Sequence, residues 1–263
     1  MVIELAVLIP CFNNRSGLRG TLRSLENIQT AFDVIVVDDG SSPPLEVPNH
    51  IGSHAVHALR LEKNQGIEAA LNAGLAWILE RGYGLIARLD AGDEPAPDRF
   101  EKQVTVMLEH PDVGLIGVHT EFVLPSGESL YTWRPPSEPE RLRRFMHLQN
   151  PFVHSGAMYR TSAIRAVGVY GHAFPAAEDY ELFWRIAHRF GVAMIGEVLM
   201  RCELNPAGIS VQKRKRQSAS LLRVRLRYFN PHVLESYVGV LRGTLAYVLP
   251  LEIVNVIKGR LWK

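Results

Sequence analysis

The sequence lacks most of the devices that mark secreted or membrane-spanning chains. Its 263 residues include two cysteines, Cys11 and Cys202, far apart and outside any CxxC pair. That argues against a disulfide scaffold and for a reduced, cytoplasmic setting, with both thiols as small buried apolar side chains. The opening MVIELAVLIPCF has no basic leader or small-residue cleavage site and reads as a first strand. No run of about 18 uncharged apolar residues occurs, so no spanning helix is expected. GxGxxG is missing after the first strand, which argues against a dinucleotide-binding dehydrogenase. PCFNNRSG, which stands there instead, is also a poor phosphate loop for a nucleotide-sugar pyrophosphorylase. An overall charge excess is nearly absent too, at +2, but it is unevenly spread. Residues 212–263 hold 11 Lys and Arg against 2 Asp and Glu, giving +9 and leaving −7 for the rest. A basic tail on an acidic body suits a polyanionic partner: anionic lipid or a ligand's phosphates. No nucleic-acid-binding module surrounds it, so nucleic acid ranks last.

What the chain does have is an alternation of short apolar runs and amphipathic stretches. Strands are expected at 3–9, 33–37, 54–61, 84–89 and 113–124. Between them lie a helical face of Leu18, Leu22, Leu25 and Ile28, a helix over 64–80, and one over 97–110 with Pro97 near its start. This predicts an α/β fold with a doubly wound, mostly parallel sheet. Such sheets bind ligands outside the carboxyl ends of their strands. Three polar clusters fall there: Pro10 to Asn14, Asp38 to Ser42, and Asp90 to Asp93. Beyond 124 the pattern becomes a turn at 125–128, a helix at 137–148, an extended run at 152–160, a helix at 177–190 and a strand at 192–204.

Each polar cluster has a plain and a chemical reading. Asp38 and Asp39 fit an ordinary turn, yet two adjacent carboxylates repel unless one meets a donor, such as a base N–H or ribose hydroxyls. Asp90 and Asp93 fit a solvated loop, or hard oxygen ligands for Mg²⁺ or Mn²⁺ completed by substrate phosphates. Glu178 and Asp179 fit dipole complementation at a helix start, or a general base that takes a proton from an attacking hydroxyl. The same helix end weakens such a base. His154 fits a structural hydrogen-bonding role or, before Ser155-Gly156, a contact with an acceptor. The basic run at 213–217 fits a solvated face or a clamp on a diphosphate.

Together VLIPCFNN, VIVVDDGSS, NQGIEAALNAGL, IARLDAGDEPAPDRFEKQ, HSGAMYR, AEDYELFWRIA and GISVQKRKRQ resemble family 2 glycosyltransferases with the GT-A fold, over roughly residues 4–217. The resemblance implies transfer of a sugar from a nucleotide-diphosphate sugar to an acceptor hydroxyl, with inversion. It places Pro10, Asn13, Asp38 and Asp39 in the nucleotide pocket and Asp90 at the first Asp of a metal-binding DxD. Asp179 is the implied base, with Glu178 beside it, and Arg214, Arg216 and Gln217 the implied late contact to the donor phosphates. It also implies a divalent metal, Mn²⁺ or Mg²⁺. Two departures stand out. Gly92 occupies the second DxD position, leaving Asp93 as a substitute, and Leu71 stands where many members carry Arg. On this reading residues 1–217 form the transferase domain, with a nucleotide-sugar half (1–120) and an acceptor half (121–217). Residues 218–263 form a basic amphipathic segment suited to an anionic membrane surface. The implied setting is surface polysaccharide or glycolipid synthesis, with a saccharide or lipid-linked acceptor, in the cytoplasm and peripheral on the inner face of the membrane. The rival from another class is a nucleotide-sugar-binding protein without activity.

Overall fold

The computed structural model describes residues 4–204 and 214–248. The first half runs β1 (Leu5–Cys11), α1 (Arg15–Leu25), β2 (Asp33–Asp38), β3 (His50–Ile51), β4 (His54–Arg60), α2 (Ile67–Arg81), β5 (Leu85–Arg88), β6 (Glu94–Pro95), α3 (Arg99–Glu109) and β7 (Val113–Val123). The second half runs β8 (Ser129–Trp133), α4 (Pro139–Leu148), a 3-10 turn at His154–Gly156, β9 (Met158–Arg160), α5 (Thr161–Val167), α6 (Glu178–Ala187), β10 (Gly191–Glu203), α7 (Arg214–Arg227) and α8 (Leu234–Val248).

The strands form one sheet in the order β3-β4-β2-β1-β5-β9-β7-β10-β6, with β8 pairing β7. β4, β2, β1 and β5 are mutually parallel, so both faces need helical cover and β1 is buried along its whole length. Alternation along each strand divides the interior in two. Ala6, Leu8, Ile35, Val37 and Ile86 meet the side chains of α2 and α6, whereas Leu5, Val7, Ile9, Val36 and Ala87 meet those of α1 and α3. The chain winds outward from β1 through β2 to β4, then returns to place β5 on the other side of β1. That reversal makes the carboxyl ends of β1 and β5 the topological switch point, where an open α/β sheet has its crevice.

The sheet is less regular than the alternation of runs suggests. β9 is antiparallel to both β5 and β7 and separates the parallel strands β4, β2, β1 and β5 from the parallel pair β7–β10. The expected extended run 152–160 is a 3-10 turn followed by a three-residue strand. The segment expected as a separate tail joins the body as far as residue 248. Val224 is fully buried in the main core. Tyr228 stacks on Trp184 at 5.1 Å and donates to Glu181 at 3.1 Å, and Arg225 Nε donates to the Leu148 carbonyl at 3.0 Å. A boundary at 217 therefore falls inside α7. Residues 205–213, with most of GISVQKRKRQ, and 249–263 lie outside the described residues. No helix among the described residues is long and apolar enough to cross a membrane.

Candidate active site

Three loops meet at the carboxyl edge, held by hydrogen bonds between them. Asp39 N–H donates to the Cys11 carbonyl at 2.9 Å, Asn13 N–H to Ser41 Oγ at 2.9 Å, and Ser42 N–H to Asn13 Oδ1 at 3.0 Å. Asn14 Nδ2 donates across the crevice to the Ala91 carbonyl at 2.8 Å. Thr21, reaching from α1, accepts from Gly92 N–H at 2.9 Å and donates to the Asp93 carbonyl at 2.9 Å. The clusters at 10–14, 38–42 and 90–93 thus form one site, as their placement after strands predicts.

Within it the carboxylates have different tasks. Asp38 is buried; Oδ1 accepts from Ser41 N–H at 2.9 Å, and Oδ2 from Leu45 N–H at 3.2 Å and Arg60 Nη1 at 2.7 Å. Burial alone would push its carboxyl up, but these donors hold it below the usual range. Asp38, expected in the nucleotide pocket, anchors its own loop through these bonds. Asp39, also buried, accepts from Gln65 N–H at 2.8 Å and Gly66 N–H at 3.0 Å, fixing the entry to α2. Each oxygen keeps a second lone pair. Pro10 is buried within β1, while Asn13, at φ 51°, is exposed at the rim.

Asp90 and Asp93 diverge. Asp90 remains 43% exposed, with Oδ1 bonded to Arg88 Nη2 at 2.5 Å. Burial would raise its carboxyl, but the Arg88 charge more than offsets that and holds it low. Asp93 turns inward, where Oδ1 accepts from Glu203 N–H at 3.0 Å. Burial, then the Asp90 charge, push its carboxyl up to about 7. The Asp93 carboxylate, expected as a metal ligand, is thus packed against β10. Among the described residues no group of three or more His, Cys, Asp or Glu side chains could hold a cation. What faces outward is one free Asp90 oxygen, a hard donor that fits a cation whose other ligands come from phosphates.

The second half adds the acidic start of α6. Asp179 Oδ2 accepts from Asn150 Nδ2 at 3.0 Å and Oδ1 from Tyr180 N–H at 2.7 Å. Burial pushes its carboxyl up to about 6 despite those donors, and Asp90 adds repulsion. Glu178 is pushed up to about 8 by burial and then by Asp179; its Oε2 is buried without a hydrogen-bond partner among the described residues. Asp90 repels both the Glu178 and the Asp179 carboxylate, so the start of α6 lies within electrostatic reach of the loop after β5.

His154, expected on the acceptor side, is bonded within the fold. Its Nε2 accepts from Arg88 Nε at 3.2 Å and lies 2.7 Å from Tyr170 Oη. Burial and the Arg88 charge drive the ring down to about 3, so it is neutral. On α7, Arg216 is exposed and Gln217 half-buried, with no bond to Asp90; the side chain of Arg214 lies outside the described residues. The residue that sequence reasoning passed over is Arg88. Its signal was present: a charged side chain ending a buried apolar run needs a buried partner.

The comparisons agree with this geometry. The family model for Glycosyl transferase family 2 matches residues 6–168. The amylovoran biosynthesis glycosyltransferase AmsE of Erwinia amylovora is 31% identical over 255 residues, covering 93% of this chain and 91% of that protein. An Escherichia coli UDP-Gal:alpha-D-GlcNAc-diphosphoundecaprenol beta-1,3-galactosyltransferase is 32% identical over 163 residues, covering 60% of this chain and 57% of that protein. Among solved structures, S. aureus TarS 1-349 in complex with UDP-GlcNAc superposes with a TM-score of 0.67 at 14% identity, covering 95% of this chain and 77% of that one. The mannosyltransferase PcManGT of Pyrobaculum calidifontis, in complex with GDP-Man and Mn²⁺, gives 0.62 at 14% identity, covering 93% and 70%. With its mostly parallel GT-A sheet and its acidic crevice, the chain belongs to glycosyl transferase family 2 and is a glycosyltransferase.

Proposed function

We propose that the protein transfers a sugar, with inversion, from a nucleotide-diphosphate sugar to an acceptor hydroxyl in surface polysaccharide or glycolipid synthesis. The observation that carries this reading is the pairing, across one crevice, of a half-open Asp90 with an Asp179 whose carboxyl is raised to about 6. Residues 1–120 supply the donor side. The 13–14 and 39–41 backbone and the remaining lone pairs of Asp39 suit a nucleotide, and the free Asp90 oxygen suits the cation of its diphosphate. Such a cation, Mn²⁺ or Mg²⁺, would neutralise charge on the departing nucleoside diphosphate. Asp179, ionised near neutrality, takes the acceptor proton, and the crevice supplies proximity for a single displacement. Asn150 aims Asp179 by occupying one of its oxygens. Residues 121–217 present the acceptor. Arg216 and Gln217, at the start of α7, suit the late contact to the donor phosphates on this reading, together with Arg214, whose side chain lies outside the described residues.

The relatives' names support the setting. One acts on a diphosphoundecaprenol acceptor and another belongs to amylovoran biosynthesis. A lipid-linked acceptor suits a chain that rests on the cytoplasmic face of a membrane. On α8, Leu234, Tyr237, Leu241, Leu245 and Val248 are exposed at three- and four-residue spacing, as on an interfacial helix. The test is a thermal-shift panel of UDP, GDP and dTDP with and without MnCl₂, followed by release of nucleoside diphosphate from the matching sugar donor. Stabilisation by one nucleotide with slow donor hydrolysis is expected. Stabilisation without any hydrolysis or transfer would favour the inactive binding protein.

A further inference from the structure

Arg88 closes β5 and is fully buried. Period-two alternation puts it on the same face as Ile86, toward α6, and not toward α1 and α3. Its planar guanidinium is fixed on every side. Nη1 donates to the carbonyls of Leu8 at 2.7 Å and Leu89 at 3.0 Å, Nε to His154 Nε2 at 3.2 Å, and Nη2 to Asp90 Oδ1 at 2.5 Å. Behind it, Tyr170 Oη lies 2.7 Å from the same His154 nitrogen, and Tyr159 Oη 2.9 Å from Tyr170 Oη. Because Nε2 accepts from Arg88, the proton on that ring sits at Nδ1. From the other side, Asp90 N–H donates to Ser155 Oγ at 2.8 Å.

The resulting ion pair straddles the crevice wall: the cation is 0% exposed and the anion 43% exposed. An arginine needed only to tie strand-end carbonyls has no use for an anion that opens to solvent. Gly92 offers no carboxylate and Asp93 is turned away, so Asp90 is the only acid of the DAGD turn that faces the crevice. With both oxygens free it could rotate, and its charge would add to that of Glu178 and Asp179. We propose that Arg88 is the positioning residue of the donor site: held by His154 and the Tyr170–Tyr159 pair, it takes one Asp90 oxygen and thereby aims the other at the donor's diphosphate and its cation. This deepens the donor reading above and rests on it.

The test uses the full chain, MnCl₂, and whichever of UDP, GDP or dTDP stabilises the wild type, with affinity read by calorimetry. Arg88→Met is expected to weaken nucleotide–Mn²⁺ binding about 10- to 100-fold, the range seen when a partner of a metal-binding side chain is removed. Arg88→Lys recovers part of it, and Tyr170→Phe, which keeps the ring, weakens binding less than Arg88→Met does. In an Asp90→Asn background both Arg88→Met and Tyr170→Phe become silent, since no charged oxygen remains to be aimed. Equal losses in both backgrounds, or wild-type affinity in Arg88→Met, would overturn the proposal. Should Arg88→Met not fold, Tyr170→Phe in the two backgrounds decides it. A wild type that binds none of the nucleotides removes the donor reading itself; nucleotide binding indifferent to Arg88 removes only the positioning role.

Discussion

Asp179 and Glu178 are neighbours in sequence with opposite consequences. Asp179→Asn keeps the shape and the Asn150 contact but cannot accept a proton. Turnover is expected to fall about 10²–10⁴-fold with nucleotide affinity retained, as steady-state rates and calorimetry will show. With Asp179 at about 6, kcat/KM should rise with pH through that value. Glu178 bears on stability. Its folded value of about 8 lies above the ordinary 4.5, so its contribution is complete below about 4.5 and is lost as the pH climbs to about 8. Glu178→Gln should therefore flatten the dependence of Tm on pH and raise Tm at pH 9, by about 2–4 °C for each kcal/mol relieved; parallel curves would show that no buried charge is being paid for. Gly92 sits at φ +114°, and a Cβ there would meet nothing nearer than Asn14 Nδ2 at 3.8 Å. Space is available but the backbone is not, so Gly92→Asp should lower stability by about 1–3 kcal/mol in thermal denaturation. The positions of Asp90 and Asp179 in the fold were legible because strand ends and helix starts fix where a side chain emerges. The inward turn of Asp38 and Asp93 was not, since the N–H groups they meet, on Leu45 and Glu203, are brought up by loop curvature and by β10.

At the level of elements, the long strands and the amphipathic helices were readable because each carries its own periodicity. β3 and β6 are two residues long and exist only through their partners, so no local pattern could announce them. α5 is seven residues, too short for a repeat to show. The antiparallel insertion of β9 was hidden for another reason: parallel and antiparallel central strands are equally apolar when both faces are covered. α8 is the element whose docking is most exposed to a single change. A Cβ at Gly239 would lie 2.0 Å from the His147 carbonyl oxygen at the end of α4. Gly239→Ala should push α8 off α4 and cost about 1–3 kcal/mol, measurable as a lowered Tm; an unchanged Tm would mean that α8 does not need this contact.

For the whole molecule, charge and apolar surface gather at one end. α7 and α8 carry Arg216, Arg223, Arg227 and Arg242 exposed, alongside the apolar stripe of α8. The doublet Leu241→Glu with Leu245→Glu should abolish flotation with vesicles containing anionic lipid while leaving donor hydrolysis in place. Wild-type flotation should weaken as salt rises; flotation of the doublet equal to wild type would take α8 out of the membrane argument. This end was half legible. Its charge was plain, but the burial of Val224 and the stacking of Tyr228 on Trp184 follow from a cavity that only the assembled α4 and α6 create. The insertion of β9 beside β5 also has a consequence for how the protein comes into being. β5, the strand that leads into Asp90, has β9, residues 158–160, as its neighbour on one side, and that segment leaves the ribosome about 70 residues later. At about 5–20 residues per second, the nascent first half waits on the order of ten seconds with an open apolar edge. Chaperone capture during translation should therefore be concentrated before residue 160 emerges and fall away after it.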